Sequence, residues 1–137
     1  MRGISLLFIG AVLVGCSTTD ARQQPLRTAQ KQKQYDVLLA GKVAGPPVSC
    51  LPTFRQDDMV VIDDRTVAFR QGSGRAYVNH MQGGCSNLGG GYALVTRTFG
   101  GGQLCRGDIA QVVDLTNRMT VGSCVFGDFI PYSRPRA

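Results

Sequence analysis

Residues 63–80 read DDRTVAFRQGSGRAYVNH, and their alternation decides the fold class. Asp63-Asp64-Arg65 is turn chemistry, because short carboxylate side chains bond nearby backbone N–H groups. In Thr66-Val67-Ala68-Phe69-Arg70, Val67 and Phe69 stand two apart, which puts both on one face of a strand. Gly72-Ser73-Gly74 supplies the backbone freedom of a second turn. Arg75 to His80 alternates again, so the stretch predicts a β-hairpin.

The same signals continue on both sides. Met59 to Ile62 is a short apolar run, and Tyr92 to Phe99 (YALVTRTF) is the strongest strand pattern, closed by Gly100-Gly101-Gly102. Gln103 to Arg106, Ile109 to Leu115 and Thr120 to Phe126 follow, the last after a turn near Asn117. Short strands punctuated by glycine predict a mostly β, antiparallel fold, a small barrel or sandwich. Its predicted core is Phe54, Val60, Ile62, Val67, Phe69, Tyr77, Leu94, Leu104, Ile109, Val112, Val121 and Phe126. Upstream, Gln30 to Ala40 predicts a short helix, with Tyr35, Leu38 and Leu39 on one side and Gly41 to end it. Gly45-Pro46-Pro47 breaks regular structure and opens the domain proper, assigned to residues 43–137.

The first residues predict export. Arg2 precedes an apolar run, Ile4 to Val14, that is shorter than the roughly 20 residues needed to span a bilayer. Leu13-Val14-Gly15-Cys16 resembles the bacterial lipobox, which implies a signal peptide over 1–15 and acylation of Cys16, palmitate among the chains. Ser17 after the cysteine favours the outer membrane, facing the periplasm. Residues 16–42 then form a lipid-anchored tether containing the short helix.

Removing Cys16 leaves Cys50, Cys85, Cys105 and Cys124, an even count in an exported chain, so two disulfides are predicted. Three pairings are open. The partners nearest along the chain, Cys50–Cys85 and Cys105–Cys124, are favoured. A four-cysteine zinc site is disfavoured, since no pair has the close spacing of such sites. No metal and no cofactor is expected.

The formal charge is +6, without a glutamate and without a lysine after Lys42. Residues 16–42 carry five cations and two aspartates, +3, and residues 43–137 carry nine arginines and seven aspartates, +2. The basic character is thus assigned mostly to the tether, where each cation near an anionic membrane is worth about 1 kcal/mol. Nucleic acid is not expected as a partner, since basic and aromatic residues do not interleave.

The string from Ser49-Cys50 through Val61 to Val67, Tyr77-Val78-Asn79 and Gly84-Cys85, continuing in Leu104 to Ile109 and Ser123 to Phe129, resembles an uncharacterised family of small proteobacterial lipoproteins. That family is classed as a domain of unknown function with four cysteines in the mature domain. The resemblance implies a lipoprotein with disulfides and brings no catalytic or binding residue.

Other motifs have plain readings. Cys105-Arg106-Gly107-Asp108 contains the tripeptide RGD, but Asp108 is expected to accept local backbone N–H bonds and Arg106 to pair with a surface aspartate. His80 is the only histidine and a weak catalytic candidate, since a nucleophilic site needs a serine or free thiol beside it. Asp57-Asp58 and Asp63-Asp64 are expected to be solvated turn residues, without the alternating spacing of a calcium loop. Gly83 to Gly91, GGCSNLGGG, is the best loop in which to look for a ligand. The leading expectation is a non-enzymatic binding or structural module in the envelope, its partner another envelope protein or peptidoglycan. The alternatives are a hydrolase-like enzyme using His80 with a nearby aspartate, and a disulfide redox protein using Cys85 or Cys105.

Overall fold

A computed structural model of the chain describes residues 27–52, 58–83, 85–98 and 102–136. Helix α1 (Ala29–Leu39) is followed by strands β1 (Val43–Ala44), β2 (Met59–Asp63), β3 (Thr66–Gln71), β4 (Arg75–His80), β5 (Ala93–Arg97), β6 (Ile109–Asp114), β7 (Met119–Val125) and β8 (Phe129–Ser133). They form a five-stranded sheet in the order β1-β8-β4-β3-β2 and a three-stranded sheet in the order β5-β6-β7. All pairings are antiparallel, and the sheets do not close into a barrel. Of the two predicted architectures, the packed-sheet one holds.

The hairpin of residues 63–80 forms as its sequence predicts, with Val67 opposite Asn79 and Phe69 opposite Tyr77. Its strands are buried on both faces, and β3 opens with four consecutive buried residues. Val67, Phe69 and Tyr77 point into a core shared with Ala110, Val112 and Cys124 of the smaller sheet. Ala68, Ala76 and Val78 point the other way and pack with Val60, Ile62 and Leu38. The molecule thus has three layers: α1, the larger sheet and the smaller sheet.

The helix runs one residue earlier than predicted, with the Thr28 hydroxyl accepting from the Lys31 backbone N–H at 3.3 Å as N-cap. Gly41, at φ +69°, takes the left-handed conformation that ends it. Leu38 is buried, and Tyr35 and Leu39 pack beside it, the face the sequence predicts. The tether assignment is corrected for these residues, since α1 is one layer of the fold. Charge follows: Arg27, Lys31, Lys33 and Lys42 lie in or beside α1, leaving only Arg22 and Asp20 between residues 17 and 26.

Strand β8 lies beyond the strands predicted from the sequence, and it contains Pro131. Along an antiparallel strand one residue's N and C=O point to the same side. The Pro131 carbonyl accepts from Gly45 N–H at 2.7 Å on the β1 side, so the missing N–H faces a two-residue edge strand and costs no bond to β4. Conversely, Gln103 to Arg106 is not a strand; only Cys105 forms an isolated bridge, with Cys50.

The disulfides are Cys50–Cys105 and Cys85–Cys124, which corrects the nearest-neighbour pairing. Leu51 N–H donates to Leu104 C=O and Arg106 N–H to Ser49 C=O, so two segments run antiparallel and set Cys50 against Cys105. Gln82 bridges Val125, which carries Cys85 to Cys124. Register, and not chain distance, chooses the partners. The bonds close loops of 55 and 39 residues, worth about 4 kcal/mol each on chain entropy.

Of the predicted core, Val60, Ile62, Val67, Phe69, Tyr77, Leu104, Val112 and Phe126 are buried and Leu94, Ile109 and Val121 half-buried, while Phe54 lies outside the described residues. Phe129, Leu51, Met81 and Leu88 join them. Phe69, Phe126 and Phe129 meet with ring centroids 5.9 to 6.4 Å apart. Beside them the fully buried Asn79 amide acts as a strand partner: it donates to Gly127 C=O at 2.8 Å and accepts from Gly127 N–H at 3.1 Å.

Candidate functional site

Two clefts flank α1, and the polar residues singled out in the sequence fall mostly around the first. At the head of the helix the Arg27 guanidinium donates to Asp63 Oδ2 at 2.6 Å and to the Thr66 hydroxyl at 3.4 Å, and lies 4.4 Å from the Tyr35 ring centre. Asp63 Oδ1 accepts from Arg65 N–H at 2.8 Å. This corrects the solvated-turn reading of Asp63: the carboxylate is buried, paired and fully used by the fold. Asp64 is exposed and accepts from Gly89 N–H at 2.8 Å, and its carbonyl accepts from Cys85 N–H. Asp58 is half-buried, and Asp57 lies outside the described residues.

The segment Gly83 to Gly91 therefore is clamped to the β2–β3 turn, apart from Gly84, which is not described. Leu88 is buried in a 3-10 turn, and Asn87 and Gly91 take positive φ. Lys31, Asp63, Asp64, Asn87 and Gly89 line a cleft of about 340 Å³ between this segment and α1. Within it Lys31 Nζ donates to Val61 C=O at 2.8 Å. Its charges are mixed and mostly satisfied by protein.

His80 stands at the exposed end of β4, across from Thr66, with Nδ1 3.4 Å from that hydroxyl. Partial burial, then the Arg27 charge, hold its pKa below the ordinary histidine value, while Asp63 pulls the other way. Its neighbours are a buried hydroxyl and an ion pair, and Asp63 is committed to Arg27. The geometry gives the hydrolase-like alternative no support. Cys85–Cys124 is buried against the Met81 sulfur, 3.1 Å from Cys85 Sγ, and Cys50–Cys105 is half-buried. In the RGD tripeptide, Asp108 is buried and accepts from Cys105 N–H at 2.8 Å, while Arg106 pairs with Asp128 at 3.3 Å, both as expected from the sequence. Among the described residues no cluster of His, Cys, Asp or Glu could hold a metal ion. Cys16 lies outside the described residues.

The second cleft was not read from the sequence. Gln30, Lys33, Gln34 and Val37 stand at helical spacing on one side of α1 and face the β3–β4 turn, where Arg70, Ser73 and Arg75 complete a groove of about 520 Å³ with Lys42 at its foot. Four cations line it and, among the described residues, no carboxylate does. Among the described residues none of the four is in an ion pair, the ion pairs being Arg27–Asp63 and Arg106–Asp128. Lys42 Nζ donates to Leu38 C=O at 2.7 Å, which places one positive charge on the helix C-terminus. The cations come from three separated segments, so no local motif betrays them.

The strings that carry the sequence resemblance meet one another in the fold, Asn79 on Gly127, Asp64 on Cys85, Asp108 on Cys105 and Arg106 on Asp128. No curated protein and no solved structure matches the chain. A family model covers residues 1–126, so the match begins ahead of α1 and stops short of β8. The chain belongs to this family of unknown function, DUF6491.

Proposed function

We propose that the chain is a lipid-anchored envelope protein, acylated at Cys16 and held at the outer membrane facing the periplasm, whose folded domain is a binding module for an anionic partner. One observation carries the binding reading: the groove between α1 and the β3–β4 turn gathers Lys33, Lys42, Arg70 and Arg75 with no carboxylate among the described residues that line it. Like charges brought together raise the energy of the free protein unless a counter-charge is supplied. The cleft at the head of α1 differs, since there Lys31 stands with Asp63 and Asp64, and Asp63 is paired with Arg27. The anchor reading is supported by Leu13-Val14-Gly15-Cys16 at the end of an apolar run, and the paired cysteines suit an oxidising compartment.

The test uses the full chain, since α1 covers one face of the sheet. Immobilised wild type and a Lys33→Gln/Arg70→Gln variant are exposed to detergent-solubilised envelope, and the retained anionic component is identified. Retention by wild type alone is the expected result. Equal retention by both proteins sinks the groove. Separately, acyl labelling that persists in Cys16→Ala would sink the anchor.

A further inference from the structure

We infer that the basic end of the domain docks on an anionic phospholipid bilayer, with a headgroup phosphate seated in the groove between α1 and the β3–β4 turn. The inference rests on the anchor and groove reading above and names the partner.

Strand register separates the charges of the larger sheet. Arg75 is paired with Ser133, so Arg134 and Arg136, both exposed, leave the sheet beside it. Arg70 and Lys42 lie at this same end, with Lys33 across the groove. At the opposite end Thr66 pairs with His80 and Asn79 with Phe129, which gathers Asp63, Asp64 and Asp128 there, and Arg27, Arg65 and Arg106 balance them, two in ion pairs. Among the described residues the acids nearest the basic end are Asp58, one residue ahead of β2, and Asp36, on α1 three residues from Lys33; neither lines the groove or forms an ion pair. A body with a surplus of cations at one end and balanced charges at the other turns its basic end toward a negative surface.

Two further features point to a bilayer as the source of the phosphate. Val37 and Val43 are 67% and 54% exposed. Val37 lines the groove, and Val43 sits opposite Ser133 at its end of the sheet. Apolar side chains beside cations suit an interface with headgroups and acyl chains, whereas a free ion in water leaves them unused. The tether also reaches. Ten residues separate Cys16 from Arg27, eleven steps that span at most about 40 Å. Arg27 sits at the opposite, charge-balanced end, and the six residues of β4 separate the two ends by about 20 Å. An acylated Cys16 therefore permits the far, basic end to meet the same bilayer.

The test is co-sedimentation of the full chain carrying Cys16→Ser, so that no acyl chain contributes. Vesicles of phosphatidylcholine are compared with vesicles that also contain phosphatidylglycerol, with inorganic phosphate as a competing arm. The expected result is stronger partition onto the anionic vesicles, lost in high salt and little affected by phosphate. Neutralising one cation is expected to cost about fivefold. Lys33→Gln/Arg70→Gln/Arg75→Gln should therefore fall about a hundredfold, while Arg65→Gln/Arg97→Gln/Arg118→Gln, of equal charge, falls much less. Should the triple groove variant fail to fold, Arg75→Gln alone, at an exposed strand end, still carries the fivefold expectation. Equal binding to both vesicle types, equal loss in both triple variants, or displacement by phosphate without any lipid preference would overturn the inference. Because the acyl chain is absent throughout, a failure here is distinct from a failure of acyl labelling at Cys16.

Discussion

The two apolar layers that sandwich the larger sheet are built from different materials. Between the sheets lie Phe69, Phe126 and Phe129, the Cys85–Cys124 disulfide with Met81, and the Asn79–Gly127 pair, all buried. Under the helix lie Ala68, Ala76, Val78, Val60 and Ile62, capped by one buried helix residue, Leu38. The first layer is closed by large rings and a covalent bond. The second is thin, and polar contacts of Arg27 with Asp63, Thr66 and Tyr35 fix the helix at one end. Stability is therefore concentrated away from the groove, and the groove opens along the layer that has least to lose. Binding surfaces drawn from the weaker part of a fold are the general expectation.

The contrast is tested first where it should be strongest. Phe126→Ala removes a fully buried ring from the three-ring cluster and is expected to cost about 3–5 kcal/mol. Chemical denaturation should show the whole protein losing that amount in one transition. A loss under about 1 kcal/mol would mean that the inter-sheet layer collapses readily around the cavity and is not the rigid half.

Asn79→Ala comes next. It leaves the Gly127 N–H and C=O without their buried partner, and an unpaired buried polar group costs about 1–3 kcal/mol. Asn79→Asp keeps the acceptor and loses the donor, so it should not restore stability. Rescue by aspartate would indicate that water, and not the side-chain amide, satisfies Gly127.

Asp63→Asn probes the other layer. It removes the charge that holds Arg27, and hydrogen bonds to charged groups are worth about 1.5–3 kcal/mol. The effect should be local: amide exchange in α1 accelerates, while amides of β6 and β7 keep their protection. Uniform acceleration across all three layers would show that helix and sheets unfold as one unit, and the comparison would break.

The same contrast explains what could be read in advance. Strands β2 to β4 and β5 to β7 are legible because each is short, carries apolar residues and ends in glycine or aspartate turns. The α1 side of the sheet was illegible because Ala68 and Ala76 are too small to register as a second apolar face. Strand β8 contains Pro131, whose place in a sheet is allowed only by the neighbour on its missing N–H side, the short strand β1. The buried role of Asp63 depends on Arg27, 36 residues away. The groove needs Lys33, Lys42, Arg70 and Arg75 from three segments, which only the packing of α1 on the hairpin brings together. What failed was long-range pairing in each case, the disulfide partners included.

The smallest expected effect is one of pH. The folded state holds the His80 pKa below its ordinary value of 6.5, through partial burial first and the nearby Arg27 charge second, with Asp63 opposing. Between the two values the unfolded chain binds the proton that the folded chain refuses, so stability rises with pH there. The contribution is therefore fully present above about 6.5 and is lost as pH falls from 6.5 through the folded value. Since protonation sets a second cation beside Arg27, the loss should appear as easier opening of α1. Melting curves at pH 7.5 and pH 5, taken as bracketing values on either side of about 6.5, should show a larger drop for wild type than for His80→Gln. Equal drops would mean that His80 is solvated enough to titrate alike in both states. The clasp at the head of α1 would then be independent of pH, and the two layers would differ in packing alone.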